Sequence, residues 1–243
     1  MSRKMVTDKR KDMAGQDKKP DDDMLAWLIE ANDAAGLGDE EVVDDIMTVY
    51  LVMDNMSKQL GSLFVYLIDY PEVLQKMAEE VRENPITDFR SLDKLKYTEC
   101  VILESLRLAP VLMRGTRWLN KPMQVGKYFI PADCQFQYSQ YVLHRMEEHW
   151  PNPREFIPER FENGTPGVDT FTFFPFLAGS RACLGRYVAM VAMKLTLSML
   201  LTNYDLTPVP TSTPPVIVQT MAVTRLKGGP FYDFKPLYRV SSS

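Results

Sequence analysis

The sequence predicts a mainly α-helical fold with small β-sheets, and three observations carry that expectation. Apolar residues recur at three- and four-residue spacing along two long stretches, residues 39–70 and 187–201. Residues 111–142 instead break into short runs rich in β-branched and aromatic side chains, the pattern of short strands. Residues 145–170 combine Pro151, Pro153, Pro158 and Pro166 with many charges and no period, which suits an ordered meander.

Taken in order, residues 1–20 are charged and poor in large apolar groups, and read as a solvated helix end or a disordered tail. Residues 22–35 form a short amphipathic helix with Leu25, Leu28 and Ile29 on one face, stopped by Gly36 and Gly38. Asp39 caps a long helix that runs to about Tyr70, in which Val42, Ile46, Val49, Tyr50 and Met53 are continued by Leu60, Phe64 and Leu67. A helix so long and so apolar is expected to cross a core. Pro71 suits the first turn of the next helix, which runs through Val81 with Glu79, Glu80, Arg82 and Glu83 on its wet side. Residues 97–108 make a further helix, closed by Pro110. Strands are expected at 111–118, at 123–130 with Gly126 in the turn, and at 135–142. A loop bearing a cysteine and the apolar helix over 187–201 follow. Strand pieces at 216–223 and 231–237, joined by Gly228, Gly229 and Pro230, close the chain. The expected organisation is a tail over 1–20 and one domain over 21–243, without internal repeats.

Composition narrows the class. At 243 residues, one domain with a real core is the default, and 45% hydrophobic and 25% charged residues are ordinary globular values. A net charge of -4 gives no reason to expect nucleic acid as a partner. Cys100, Cys134 and Cys183 are too few and too scattered for a disulfide scaffold. No apolar run reaches the length of a membrane span, because the longest are residues 46–53 and 188–201 and Lys194 interrupts the second. The basic N-terminus has no apolar core and is not a signal peptide.

Chemistry concentrates in residues 174–185, Phe-Pro-Phe-Leu-Ala-Gly-Ser-Arg-Ala-Cys-Leu-Gly. Gly179 and Gly185 give the backbone freedom, and Cys183 stands just before a helix N-terminus. Backbone N–H groups, the helix dipole and Arg181 all favour a thiolate there, so Cys183 reads as a nucleophile or a metal ligand. The competing structural reading is a buried, inert thiol. A nucleophile would need an oriented histidine, and nothing singles out His144 or His149. Cys100 and Cys134 lack such a setting and read as structural. Glu104 and Arg107 lie at i and i+3 on a helix, where side chains can meet, and Val101, Ile102, Leu103 and Leu106 around them indicate a largely buried helix.

The pattern Phe176-x-x-Gly179-x-Arg181-x-Cys183-x-Gly185 resembles the haem-binding loop of the cytochrome P-450 superfamily, the haem-thiolate monooxygenases. Glu104-Ser105-Leu106-Arg107 is similar to the family's ExxR helix, and Pro158-Glu159-Arg160-Phe161 to its PERF segment, in the family's order. The resemblance covers residues 22–240 and only the C-terminal half of such an enzyme. It implies the C-terminal portion of the cytochrome P-450 fold: a long central helix, the ExxR helix, a meander, and a cysteine loop followed by a helix. It implies that Cys183 is the axial thiolate ligand of the iron of haem b (iron protoporphyrin IX), a ligand that favours O–O cleavage. It implies that Glu104, Arg107 and Arg160 form a buried ion network supporting the site, that Arg117 and Arg181 contact haem propionates, with Arg114 a rival to Arg117, and that Phe176 packs near the sulfur side of the porphyrin. Gly179 and Gly185 belong to the same cofactor-binding set.

One departure from the family pattern is informative. The family's glycine, acid and threonine motif on the long helix falls here on residues 51–56, Leu-Val-Met-Asp-Asn-Met. Asp54 keeps the acid, Val52 replaces the glycine and Asn55 the threonine. The family's acid and alcohol deliver protons during catalysis, whereas Asn55 can donate a hydrogen bond without relaying a proton. The implied reaction is insertion of one oxygen atom from dioxygen into an apolar substrate, with electrons from NADPH through a redox partner, a P-450 reductase or a ferredoxin. Residues 141–146 and 171–176 resemble sterol 24-hydroxylase-like members, then fatty-acid hydroxylases, which implies a sterol or other lipid substrate. Full-length eukaryotic relatives imply the endoplasmic reticulum membrane; this chain shows no anchor. Two alternatives stand beside this reading: a truncated, non-catalytic fragment, and a haem-thiolate isomerase or dehydratase acting on lipid peroxides, which needs no proton relay.

Overall fold

The computed structural model of the protein describes residues 2–14, 23–164, 171–210, 215–219, 224–229 and 231–237. Two compact units share the chain, residues 1–57 and 58–243, so their boundary falls inside the long helix and not at residue 20.

The first unit holds α1 (Ser2–Ala14), α2 (Met24–Ala34) and the first part of α3 (Asp39–Asp69). The expected tail is helical over residues 2–14, because it has something to bury and something to bind. Val6, Ile29 and Val42 form a small core, and Arg10 grips Asp33 with two nitrogens at 2.7 and 2.9 Å while its Nε reaches Asp39 at 2.6 Å. Residues 15–20 of that expected tail lie outside the described residues. Asp23 caps α2 by accepting Ala26 N–H at 2.8 Å, and Gly36 takes φ +71 beyond its end.

The middle of α3 differs from expectation. Met47, Tyr50, Val52 and Met53 are 54%, 63%, 40% and 56% exposed, so this stretch does not cross a core among the described residues. The spacing records an apolar face; whether a face is covered depends on what packs against it.

The second unit is organised around α5 (Lys96–Leu108), in which every residue from Tyr97 to Leu108 except Glu99 is buried. Around it lie the end of α3, α4 (Pro71–Glu83), α7 (Arg186–Asn203) and a one-turn α6 (Gln140–Leu143). Neither end of α5 carries its own cap, and both are satisfied from elsewhere. Glu80 accepts from Tyr97 N–H at 2.6 Å, Thr98 N–H at 2.8 Å and Thr98 Oγ1 at 2.7 Å. Glu80 is therefore not on a wet face: its carboxylate sits at the positive end of α5. At the other end Arg145 donates to the Leu108 carbonyl, a cation against the negative end. Lys194, which interrupts the apolar pattern of α7, is buried and ties α7 to α5 by pairing with Glu99 at 2.6 Å.

Among the described residues the strands form four two-stranded antiparallel sheets: β1 (Arg114–Leu119) with β4 (Cys134–Ser139), β2 (Met123–Val125) with β3 (Tyr128–Ile130), β5 (Tyr204–Pro208) with β8 (Tyr232–Pro236), and β6 (Val216–Gln219) with β7 (Thr224–Lys227). Gly126 at φ +56 makes the β2–β3 turn as expected. The expected strand at 135–142 stops at Ser139, whose hydroxyl accepts Val142 N–H at 3.3 Å and starts α6. Strands β5 and β7 carry no alternation long enough to read in advance, and residues 220–223 and 230 lie outside the described residues.

Candidate functional site

Residues 171–186 run as a loop from the meander into α7. Phe171 and Leu177 hold left-handed φ values of +54 and +62, and Gly179 one of +70. The turn that carries the cysteine is closed by Cys183 N–H donating to Phe176 C=O at 2.8 Å, with Ala182 N–H reaching Gly179 C=O at 3.0 Å inside it. Helix α7 begins at Arg186, with Gly185 as its cap residue. Cys183 is exposed, and its sulfur has no hydrogen-bond partner among the described residues. A Cβ on Gly185 would stand 3.9 Å from that sulfur, so the glycine keeps one side of the thiol open.

The thiol pairs with neither histidine. His149 is exposed. His144 is fully buried, and burial pushes its imidazole pKa down to about 3. Its Nε2 accepts the Phe174 N–H at 3.1 Å. Cys100 is buried, with its thiol pushed up to about 11 by desolvation, and Cys134 Sγ reaches Pro131 C=O at 3.0 Å.

Glu104, Arg107 and Arg160 are brought together. Arg107 Nε and Nη2 meet the two oxygens of Glu104 at 2.7 and 2.8 Å, and both side chains are fully buried. Arg160 Nε lies 3.3 Å from Glu104 Oε1, which also accepts Ile157 N–H at 2.8 Å. Arg107 spends its remaining donors on the carbonyls of His144 and Pro153, each at 2.8 Å, and of Glu155 at 3.0 Å. A buried bidentate pair thus holds the meander at three backbone points, Pro153, Glu155 and Ile157, and the end of α6 at a fourth, His144.

Arg117 lies on β1 opposite Phe136, half-buried; its Nη1 donates to the Thr116 carbonyl at 2.9 Å and its guanidinium lies 5.8 Å from the Tyr138 ring centre. Arg114 reaches Gln137 Oε1 at 3.2 Å. Among the described residues neither they nor the exposed Arg181 pair with a carboxylate. The Tyr138 ring crosses over Gly115, where a Cβ would overlap it, and meets Phe174 at 5.8 Å. That link between β1, β4 and the cysteine loop was missed in the sequence; a glycine inside a strand is the signal for such a close approach. Phe176 is half-buried against the core. Asp54 is exposed and Asn55 half-buried on α3, in the first unit.

The donor set suits one kind of group. No cluster of three or more His, Cys, Asp or Glu among the described residues could hold a bare metal ion. A metal bound at Cys183 would have to bring most of its own ligands, as a porphyrin does. The exposed Cys183 sulfur, the Phe176 ring and the guanidinium groups of Arg114, Arg117 and Arg181, which meet no carboxylate among the described residues, are the kinds of group that an apolar ring bearing carboxylates calls for.

The sequence model of the cytochrome P450 family matches residues 1–234. The chain belongs to the cytochrome P450 family. Membership implies a haem cofactor. Among its relatives, cytochrome P450 4d2 of Drosophila melanogaster is 35% identical over 184 residues, covering 72% of this chain and 36% of that protein. Cytochrome P450 3A25 of Mus musculus is 27% identical over 219 residues, 85% of this chain and 43% of that protein. The lithocholate 6-beta-hydroxylase of Mesocricetus auratus is 28% identical over 217 residues, 84% of this chain and 43% of that protein. The matched part of the chain thus spans 36–43% of the length of these curated relatives. No helix among the described residues is long and apolar enough to cross a membrane.

Proposed function

We propose that this chain carries the cysteine-ligand part of a haem-dependent monooxygenase. The observation that carries the reading is the exposed, unpartnered Cys183 sulfur at the end of a turn closed on Phe176. In this reading Cys183 would supply the thiolate ligand to haem b, Gly179 and Gly185 would shape the turn, and Phe176 would pack against the haem. Arg117 and Arg181 hold the propionates by charge-assisted hydrogen bonds. Glu104, Arg107 and Arg160 fix the meander against which the loop is built. The bound haem supplies reductive activation of dioxygen: one oxygen atom enters a C–H bond and the other leaves as water, with two electrons from NADPH through a reductase or ferredoxin partner and two protons. By their place in the motif on α3, Asp54 would serve as the acid of the proton supply and Asn55 as a hydrogen-bond donor. An apolar substrate, a sterol or other lipid, is supported by the relative named for lithocholate hydroxylation. For a full-length form we place the reaction at the endoplasmic reticulum membrane.

Asn55 favours a second reading, a haem-thiolate isomerase or dehydratase that rearranges lipid peroxides without reductant. The deciding experiment is the spectrum of the haem-reconstituted, reduced protein under carbon monoxide, beside Cys183→Ser. A strongly red-shifted Soret band lost in Cys183→Ser supports thiolate ligation; reductant-dependent oxygen use then separates monooxygenase from isomerase. No band, or the same band in both proteins, overturns the reading for this chain and leaves a non-catalytic fragment.

A further inference from the structure

The segment leading into the cysteine turn is held by two side chains, Gln140 at the start of α6 and His144, the residue that caps its end. His144 Nε2 accepts the N–H of Phe174 at 3.1 Å, and Gln140 Nε2 donates to the C=O of Phe174 at 3.1 Å. The two residues are four apart, on one face of a single helical turn, so both polar groups of one backbone position are bound from one place. Leu177 N–H reaches the same Phe174 carbonyl at 2.9 Å, and two residues beyond Phe174 the carbonyl of Phe176 receives the N–H of Cys183. The backbone of His144 belongs to the buried ion network, since its carbonyl accepts from Arg107 at 2.8 Å.

We propose that His144, assisted by Gln140, is the positioning residue that sets the Cys183 sulfur for haem ligation, by clamping Phe174. The proposal rests on the haem-thiolate reading of Cys183. Three observations support it. The His144 ring is fully buried and packs on Phe173 at 5.1 Å and edge-on to Phe174 at 5.8 Å, a place that a phenylalanine would fill equally well. Because Nε2 accepts, the proton sits on Nδ1, and that buried Nδ1–H faces the backbone of Arg107 without reaching full hydrogen-bond geometry. The one well-formed hydrogen bond of the ring is therefore the one it accepts from Phe174. The clamped segment is also flanked by Phe171 and Leu177, both in the left-handed region that non-glycine residues adopt only when their surroundings hold them there. At neutral pH the imidazole stays uncharged, its pKa pushed down to about 3 by burial, and Nε2 remains an acceptor.

The test compares the full chain with His144→Phe, which keeps the ring and removes the acceptor, and His144→Gln, whose Oε1 restores an acceptor at similar reach. Amide hydrogen exchange of the haem-free protein is read at Leu177 and Cys183, two positions His144 does not touch, with Ala189 in α7 as the control. In His144→Phe the Leu177 and Cys183 amides are expected to lose at least tenfold in protection while Ala189 is unchanged, and His144→Gln is expected to restore most of it. After haem reconstitution, the fraction showing the thiolate-type Soret band should fall about fivefold in His144→Phe and recover in His144→Gln. Unchanged protection at Leu177 and Cys183 in a folded His144→Phe, or no rescue by glutamine, overturns the clamp. If His144→Phe does not fold, Gln140→Met, which removes only the donor to the Phe174 carbonyl, carries the same test. Absence of a cysteine-dependent band in the parent chain would overturn the haem reading and leave the exchange result to decide the clamp separately.

Discussion

Neutralising Glu104 is the sharpest perturbation of the scaffold. Both of its oxygens accept from Arg107, at 2.7 and 2.8 Å, and one also takes the Ile157 N–H. Glu104→Gln keeps the shape, but whichever way the amide is turned its NH2 faces a guanidinium N–H at contact distance. Arg107 is then a buried cation without a countercharge among the described residues, because Glu104 is the one acid paired with it there and both side chains are fully buried. Breaking a buried ion pair from one side is strongly destabilising, about 3–5 kcal/mol. Whole domains are stable by only about 5–15 kcal/mol, so roughly a fifth or more of the total is at stake. Urea unfolding reads it: at a slope of about 2 kcal/mol per molar, the midpoint falls by roughly 2 M. Trp150 is the natural probe, since it is 2% exposed with its ring 5.2 Å from the Arg107 guanidinium. The exposed Trp27 and Trp118 are first changed to phenylalanine. Adding Arg107→Met to Glu104→Gln should cost little more, because the unpaired charge goes with the side chain. A loss below about 1 kcal/mol, the level of an exposed pair, or strict additivity of the two changes, would refute the argument.

Three further outcomes follow from other contacts. Glu80→Ala removes the acceptor of Tyr97 N–H, Thr98 N–H and Thr98 Oγ1, and should cost about 1–2 kcal/mol in urea unfolding, with faster exchange at those two amides. His144 has its pKa lowered by burial from 6.5 to about 3, so between those values the unfolded chain binds a proton that the folded chain refuses. Stability therefore falls as pH drops below 6.5, by at most about 1.4 kcal/mol per unit from this group, and the slope between pH 6.5 and 5 should be shallower in His144→Phe. Gly115→Ala drives a methyl into the Tyr138 ring, displacing it from Phe174; unfolding should become easier by about 1–3 kcal/mol, whereas Gly126→Ala, in open space, pays only for its positive φ.

How much of this was legible in the sequence depended on whether the signal was local. The cysteine turn, the Glu104–Arg107 spacing and the Pro at the start of α4 are short patterns, and each lies where its pattern placed it. Glu80 was assigned to water because a helical period says which residues share a face and nothing about a second helix whose bare N-terminus lies against it. The Gln140–His144 pair was obscured for a similar reason: residues 135–142 alternate well enough for a strand, but Ser139 offers its hydroxyl to Val142 N–H and turns the chain into α6. Only that turn puts residues four apart onto the same carbonyl and amide of Phe174.

The middle of α3 makes the same point from the other side. Its period announces an apolar face, and Tyr50 and Met53 on that face are 63% and 56% exposed. An apolar stripe is a demand for burial, and it stabilises nothing until a surface meets it. The haem-facing chemistry divides in the same way. Cys183 and its turn are complete within the second unit, closed by the chain's own hydrogen bonds and reached by the ion network through His144. Asp54, exposed, and Asn55, half-buried, lie on α3 in the first unit. Ligation is therefore the property of this chain most directly supported by its own contacts, and loss of the red-shifted band in Cys183→Ser is the result it predicts first.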